Sequence, residues 1–234
     1  MSKKKIFIEA IDVVTKLKLN YFVCHGTLLG IIRDRDFIPW DSDIDICVNS
    51  NTSDEVKNKI IESFLKKSFR HKYIYGESDS IHFEKDSVRL DITFYRKLDN
   101  NTYGFSSFSP PKSILDKFIY IVGFIAESEL SAQEMHLGDF KLSSYSKITI
   151  KIFGEIFKLM PSSILKLINK KSIKSLKRAG YRYKLETIKT KEYEFLGKKI
   201  YIPSNYSEIL ETTYGKNWKK ARKDYVWHKD NRCK

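Results

Sequence analysis

Between Trp40 and Asn49 the chain reads WDSDIDICVN, and no other run restricts the fold as tightly. Asp43 and Asp45 alternate with Ile44 and Ile46, the period-two pattern of a strand with one wet face and one buried face. Asp41 begins the acidic series two residues earlier. Upstream, NYFVCH (20–25) has the composition of a short buried strand, and GTLLGIIRD (26–34) reads as a glycine turn into a short helix capped by Thr27. The sequence thus sets a carboxylate-bearing strand directly behind a glycine turn.

The surrounding pattern is that of a mixed α+β protein. Apolar spacing predicts a helix over 5–19 and another over 54–67. SIHFEK (80–85) and VRLDITFY (88–95) read as strands joined at Asp86-Ser87, with a third strand after the LDNN turn. In the second of these Leu90, Ile92 and Phe94 share one face, while Asp91 shares the other with Arg89 and Thr93. A third carboxylate therefore enters on the polar face of a strand. Pro110 and Pro111 punctuate the chain, and a mostly helical stretch follows, with Pro161 placed to open a new helix in its first turn. Residues 195–218 read as a strand pair, a turn at Pro203 and a helix ending near Gly215. Three regions follow: a mixed sheet flanked by helices at 1–108, a helical basic segment at 109–190, and a C-terminal element at 191–234 that packs back on the core.

With 234 residues, 41% of them hydrophobic, the chain can bury a substantial core. The start, MSKKKIFIEAIDVV, soon carries Glu9 and Asp12 and does not read as a secretory leader. The longest apolar run, Phe118 to Ala126, is too short to span a bilayer, so a soluble or peripheral protein is expected. Cys24, Cys47 and Cys233 lack the paired spacing of a zinc site or a disulfide framework. They read as unbridged, the first two as small core residues, in a reducing cytoplasmic setting. The five histidines show no metal-site spacing, and Trp40 reads as core packing beneath the acidic strand.

A net charge of +14 points to an anionic partner. Half of it sits in residues 151–178, where eight basic residues face one acid, Glu155. Apolar residues interleave with them, from Ile152, Phe153, Ile156 and Phe157 to Leu159, Ile164 and Leu165. Two readings stand: core-packed helices with a solvated lysine face, or an interfacial helix pair resting on an anionic membrane surface.

Carboxylates one strand period apart, with a third on another strand, suit Mg²⁺ or Mn²⁺, hard ions that share their shell with phosphate oxygens. Without a cation, such anions oppose each other's ionisation. The glycine turn adds backbone N–H groups and the positive end of a helix, a setting for phosphate. The combination points to phosphoryl transfer.

The run from Gly26 to Ile46, with GTLLG, Arg33, IPWD and DxD, closely resembles the signature of the LicD family, which includes bacterial phosphocholine transferases, fukutin and fukutin-related protein. VRLDITF resembles the strand that bears the third acid, and IPSNYSEILETTYGKNW resembles the family's C-terminal element, whereas residues from about 105 to 190 carry no recognised motif. The resemblance implies a DNA polymerase beta-like nucleotidyltransferase core at 1–108 and a transferase using a CDP-activated alcohol. Such an enzyme delivers phosphocholine, ribitol phosphate or glycerol phosphate to a hydroxyl of a cell-surface glycan, free or lipid-linked, in lipopolysaccharide, capsule or teichoic acid, and releases CMP. Carried over by position, Asp43 and Asp45 hold the metal, and Asp91 completes that site or acts as general base. Gly26, Thr27 and Gly30 are the nucleotide-side positions, and Arg33 neutralises phosphate. Thr27 stands where ordinary nucleotidyltransferases have serine, and no cysteine cluster answers to the zinc site of fukutin-related protein, so zinc is not expected. Two alternatives remain: a nucleotidyltransferase adding NMP to a small molecule or RNA, and a non-catalytic nucleic-acid-binding module, against which the lack of any recognised RNA or DNA motif argues. The expected location is cytoplasmic, with peripheral contact on the inner face of the membrane as an option.

Overall fold

The computed structural model describes residues 2–49, 53–76, 79–99, 102–105, 107–108, 111–131, 134–137, 144–176, 178–179, 182–183 and 188–225. Pro110, Lys177, Tyr181, His228 and Cys233 lie outside the described residues. In chain order the elements are α1 (Lys3–Lys16), β1 (Tyr21–Val23), α2 (His25–Arg33), β2 (Asp43–Asn49), α3 (Asp54–Leu65), β3 (Arg70–Ile74), β4 (Ser80–Lys85), β5 (Val88–Asp99) and β6 (Thr102–Gly104). There follow β7 (Ser107–Phe108), α4 (Ile114–Leu130), β8 (Met135–His136), α5 (Ser144–Lys158), α6 (Ser162–Ser175), β9 (Arg178–Ala179), β10 (Arg182–Tyr183), β11 (Thr190–Phe195), β12 (Lys198–Pro203) and α7 (Tyr206–Tyr214). They form two compact units, one of residues 1–71, 78–106 and 180–234, the other of residues 72–77 and 107–179.

The first unit is a mixed sheet with helices on it. β1 is antiparallel to β2, β2 parallel to β5, and β5 antiparallel to both β4 and β6, while β10 pairs with β6. The parallel pair requires a crossover, and α3 lies on that path, started by Ser53, whose hydroxyl accepts from the Val56 N–H at 3.4 Å. The tight β4–β5 turn uses Asp86 and Ser87, both at positive φ. On the apolar side, Ile6, Phe7, Ala10, Ile11 and Val14 of α1 pack with Ile44, Ile46, Phe83, Leu90 and Ile92 of the sheet into one core. The β11–β12 hairpin, turning at Leu196-Gly197, adds Phe195, Ile200 and Ile202 to it, and α7 adds Leu210. Trp218 closes the same core, so the C-terminal motif is integral to this unit.

The second unit is built on three helices. Ser113 caps α4, its hydroxyl accepting from the Asp116 N–H at 3.0 Å. Ile121, Ile125 and Ala126 of α4 bury against Phe157 of α5 and Leu165 of α6. Polar contacts fix the α4–α6 pair: the Ser172 hydroxyl donates to the Ile119 carbonyl at 2.6 Å, and the Tyr75 hydroxyl donates to Asn169 Oδ1 at 3.1 Å. Pro161 serves as N-cap and α6 begins one residue later. Short pairs complete the unit, β8 with the end of β3 and β7 with β9. No helix among the described residues is long and apolar enough to cross a membrane.

Candidate active site

The acidic face of the first unit is set by strand register. Asp43 pairs with Arg89 and Asp45 with Asp91 across the parallel β2–β5 ladder, and His82 of β4 pairs with Asp91. Registered side chains on neighbouring strands leave the same face of the sheet, so Asp45, Asp91 and His82 form a row, with Asp43 and Arg89 one strand period away. The intervening Ile44, Ile46, Leu90 and Ile92 are fully buried on the opposite face. The apolar half of the alternation anchors the strands, and the anchoring aims the acids.

Asp41, just before β2, joins them. Carboxylate oxygens of Asp41, Asp43 and Asp45 all lie within 4.8 Å of one another. The first turn of α2 comes down on this cluster: a Cβ at Gly26 would stand 2.3 Å from Asp41 Oδ2 and 3.6 Å from Asp45 Oδ2. A side chain at this position would have to displace the Asp41 carboxylate. Thr27, buried, stitches helix to strand, its hydroxyl accepting from the Asp45 N–H at 2.8 Å while its own N–H donates to Asp45 Oδ2 at 3.4 Å.

The electrostatics are those of crowded anions in a low-dielectric place. Burial pushes the Asp45 carboxyl well above the usual range, and the charges of Asp43, Asp41 and Asp91 push it further. Asp41 is raised to about 7 by burial and by its hydrogen bond with Asp43. Burial also works against ionised Asp43, but the hydrogen bond with Asp41 and the Arg89 guanidinium outweigh it and hold that carboxyl low. Arg89 donates to Asp43 Oδ2 and sits with Nε 3.4 Å from Asp91 Oδ2, while His82 Nδ1 lies 2.9 Å from Asp91 Oδ1. The donor set is all oxygen and carries excess negative charge, which fits a hard divalent cation.

Residues 18–113 match the family described as LicD/FKTN/FKRP, nucleotidyltransferase domain. Over this stretch the chain is similar to the LicD family. No curated protein matches the chain. Among solved structures, the lincomycin-bound lincosamide antibiotic adenylyltransferase LnuA is similar at 11% identity and TM-score 0.42, covering 90% of this chain and 85% of that one. The antibiotic-resistance factor ANT(2'')-Ia is similar at 8% identity and TM-score 0.34, over 71% of this chain and 89% of that one. Terminal uridylyl transferase 4 from Trypanosoma brucei, with bound UTP, is similar at 14% identity and TM-score 0.29, over 68% and 52%.

Within the matched stretch the structure separates the residues that the motif groups together. Gly26, Thr27, Asp43, Asp45 and Asp91 converge on the acidic face. Gly30 lies elsewhere: a Cβ there would meet the Asp36 carbonyl oxygen at 2.7 Å and the Ile38 nitrogen at 2.9 Å, so this glycine lets α2 pack on the loop that follows it. Arg33 is paired with Asp34 through two hydrogen bonds, 2.8 and 2.7 Å long. The arginine at the acids is Arg89, whose signal in the sequence was its place two residues before Asp91 on the same strand face. Trp40 is not core packing but 44% exposed, its ring beneath Lys223 Nζ at 5.1 Å.

The reading of the cysteines is also corrected. Cys24 and Cys47, 23 residues apart, are joined by a disulfide with their Cα atoms 6.0 Å apart. The cause is register: Phe22 of β1 stands opposite Cys47, which places Cys24 diagonally across from it. A reducing compartment therefore no longer follows from cysteine usage. His25 completes a cluster that no spacing rule revealed, with Nε2 3.8 Å from Cys47 Sγ and its ring against Phe105 and Tyr95. Burial drives its pKa down to about 4 against the pull of Asp43 and Asp91, so the imidazole is neutral at neutral pH. Beside it lies a narrow recess whose walls include His25, Tyr95, Ile209 and Tyr214. The C-terminal motif thus reaches the neighbourhood of the glycine turn.

A disulfide closing a loop of this size is expected to contribute about 3 kcal/mol to stability. Dithiothreitol should lower the thermal midpoint of the wild type by several degrees and leave that of Cys24→Ser/Cys47→Ser unchanged. Equal shifts in both proteins would refute the assignment.

Proposed function

We propose that the protein is a metal-dependent phospho-alcohol transferase: it takes phosphocholine, ribitol phosphate or glycerol phosphate from a CDP-activated donor, passes it to a hydroxyl of a cell-surface glycan or its lipid-linked precursor, and releases CMP. The observation that carries this reading is the convergence of Asp41, Asp43 and Asp45 under the Gly26 turn inside a stretch similar to the LicD family. Asp43 and Asp45, with Asp91 beside them, would hold Mg²⁺ or Mn²⁺, which supplies charge neutralisation for the phosphate oxygens.

The remaining chemistry belongs to the chain. The acceptor oxygen attacks the phosphorus that carries the alcohol, the bond from that phosphorus to the oxygen shared with the CMP phosphate breaks, and CMP leaves with that oxygen. The hydroxyl proton passes to a carboxylate, and Asp91 is the base best held for it, positioned by His82 on one oxygen and Arg89 near the other. Gly26 keeps the approach to the acids open, and Thr27 fixes Asp45 by its own backbone. Arg89 limits the negative charge that the donor diphosphate meets.

The test is incubation with Mg²⁺ or Mn²⁺ and, separately, CDP-choline, CDP-ribitol, CDP-glycerol and the four nucleoside triphosphates, with glycan acceptors of each class. Release of CMP from one CDP-alcohol is the expected result. Pyrophosphate from a triphosphate would replace this reading with NMP addition, and binding of RNA with no turnover of any donor would replace it with a binding module.

A further inference from the structure

The second unit resolves the two readings of the basic apolar segment by splitting its residues between them. Phe157 and Leu165 are buried in the three-helix core, with Phe153, Met160 and Ile168 packed against it. Leu176 and Ile173 pack in a second cluster with Tyr75 and Tyr120, and the other apolar side chains point outward. On α5, Ile148, Ile152 and Ile156 recur every fourth residue and so form one stripe, and all are about half exposed. Leu159, in the turn to α6, is 87% exposed, and Ile164 and Leu167 continue the exposed surface into the first turns of α6. The start of α4 adds Ile114, at 88%, together with Leu115 and Phe118. Phe118 stacks edge-on against Phe153 at 5.9 Å, which joins this end of α4 to α5. Among the described residues of the first unit the exposed large apolar side chains are three, Trp40, Leu65 and Tyr201, far apart in sequence. A concentration of aliphatic side chains on neighbouring helices is not ordinary surface.

What surrounds these residues names the occupant. Lys147, Lys151 and Lys158 flank the α5 stripe by helical spacing, and all are exposed. On α6, Lys171 and Lys174 follow Leu167 at four and seven residues, extending its stripe as charge, and both are exposed. Lys112 and Lys117 bracket the start of α4, also exposed. A second copy of the chain would set two such basic rims against each other, an arrangement that like charges oppose. A bilayer with anionic headgroups takes both parts at once, aliphatic tips below the headgroups and ammonium groups among the phosphates, with lysine stems long enough to span the step.

We infer that the second unit docks on an anionic lipid surface through the exposed faces of α4, α5 and α6, lying on the membrane without crossing it. This goes beyond the transferase reading and does not depend on it, because no residue of the acidic site takes part. It supplies a physical reason for an enzyme of a lipid-linked acceptor to work where that acceptor is.

The experiment is co-sedimentation of the full chain with vesicles of phosphatidylcholine containing about one-third phosphatidylglycerol, and with phosphatidylcholine alone. Binding to the mixed vesicles is expected, weaker by about tenfold or more on the neutral ones and at high salt. Ile152→Glu/Ile156→Glu should lose binding by at least about tenfold, and Lys151→Glu/Lys171→Glu/Lys174→Glu should lose the preference for anionic lipid. All five side chains are exposed, so both variants should keep the wild-type melting temperature. Wild-type protein that ignores the mixed vesicles would overturn the inference, as would undiminished binding by the isoleucine variant. Dimers in sedimentation velocity that the isoleucine changes dissociate, without vesicle binding, would assign the face to self-association instead.

Discussion

Asp45→Asn is expected to cut turnover by about 10³-fold and, in the same molecule, to stabilise the metal-free protein at neutral pH. The two effects share one cause. Asp45 is partly buried among Asp43, Asp41 and Asp91, so its carboxyl resists ionisation well above its ordinary range. A group whose folded pKa is raised contributes stability below its unfolded value, near 3.8, and that contribution is lost as pH climbs through the folded value. Asp41 behaves alike, over a window from 3.8 to about 7. Asp43, held low, works in the opposite sense and loses its contribution only in acid. The metal-free wild type should therefore weaken between pH 4 and pH 7, and Mg²⁺ or Mn²⁺ should flatten the decline by giving the anions a counter-charge. Asparagine keeps the shape and accepts from Thr27 without the charge, so the variant should melt at a higher temperature than the metal-free wild type at neutral pH. Thermal melts across this pH range, with and without the ion, read it directly. A flat profile for metal-free wild type, or a variant that melts lower, would mean that these carboxylates are not in electrostatic conflict.

The sequence exposed the parts of this site that obey a period. Alternation in DIDICV and VRLDITF placed Asp43, Asp45 and Asp91 on strand faces, and the register then put Asp45 opposite Asp91. Arg89 was legible by the same rule, because it shares a face with Asp91, yet a motif reading drew attention to Arg33, which the structure pairs with Asp34. Local chemistry also marked the β11–β12 hairpin and the end of α7 at Gly215. What stayed hidden depends on contacts between distant segments. No local pattern says that β1 runs antiparallel to β2, and without that pairing Cys24 and Cys47 are two unrelated core residues. The same holds for β3, whose pairing with β8 joins Tyr73 to Met135 and Ile74 to His136. In the basic helices the apolar count was plain from sequence, but which isoleucines face inward is decided by the packing of α4 against α5 and α6.

Gly26 and Gly30 stand one helical turn apart in the same motif, and alanine at each should fail in a different way. At Gly26 the added methyl meets the end of the Asp41 side chain at 2.3 Å. A carboxylate can rotate away, and alanine is the better helix former by up to about 1 kcal/mol, so stability should change little. The displaced Asp41 and the methyl over Asp45 would then obstruct the space in which phosphate has to meet the acids, and turnover should fall by about 10²-fold. At Gly30 the methyl meets backbone, the Asp36 oxygen at 2.7 Å and the Ile38 nitrogen at 2.9 Å, which cannot step aside without moving the loop. Gly30→Ala should cost about 1–3 kcal/mol of stability and leave turnover per folded molecule close to wild type. Urea unfolding together with kcat for both variants separates the cases. Full activity in Gly26→Ala would show that the close approach of α2 to the acids serves packing alone, and an inactive but stable Gly30→Ala would bring that glycine back among the nucleotide-side positions.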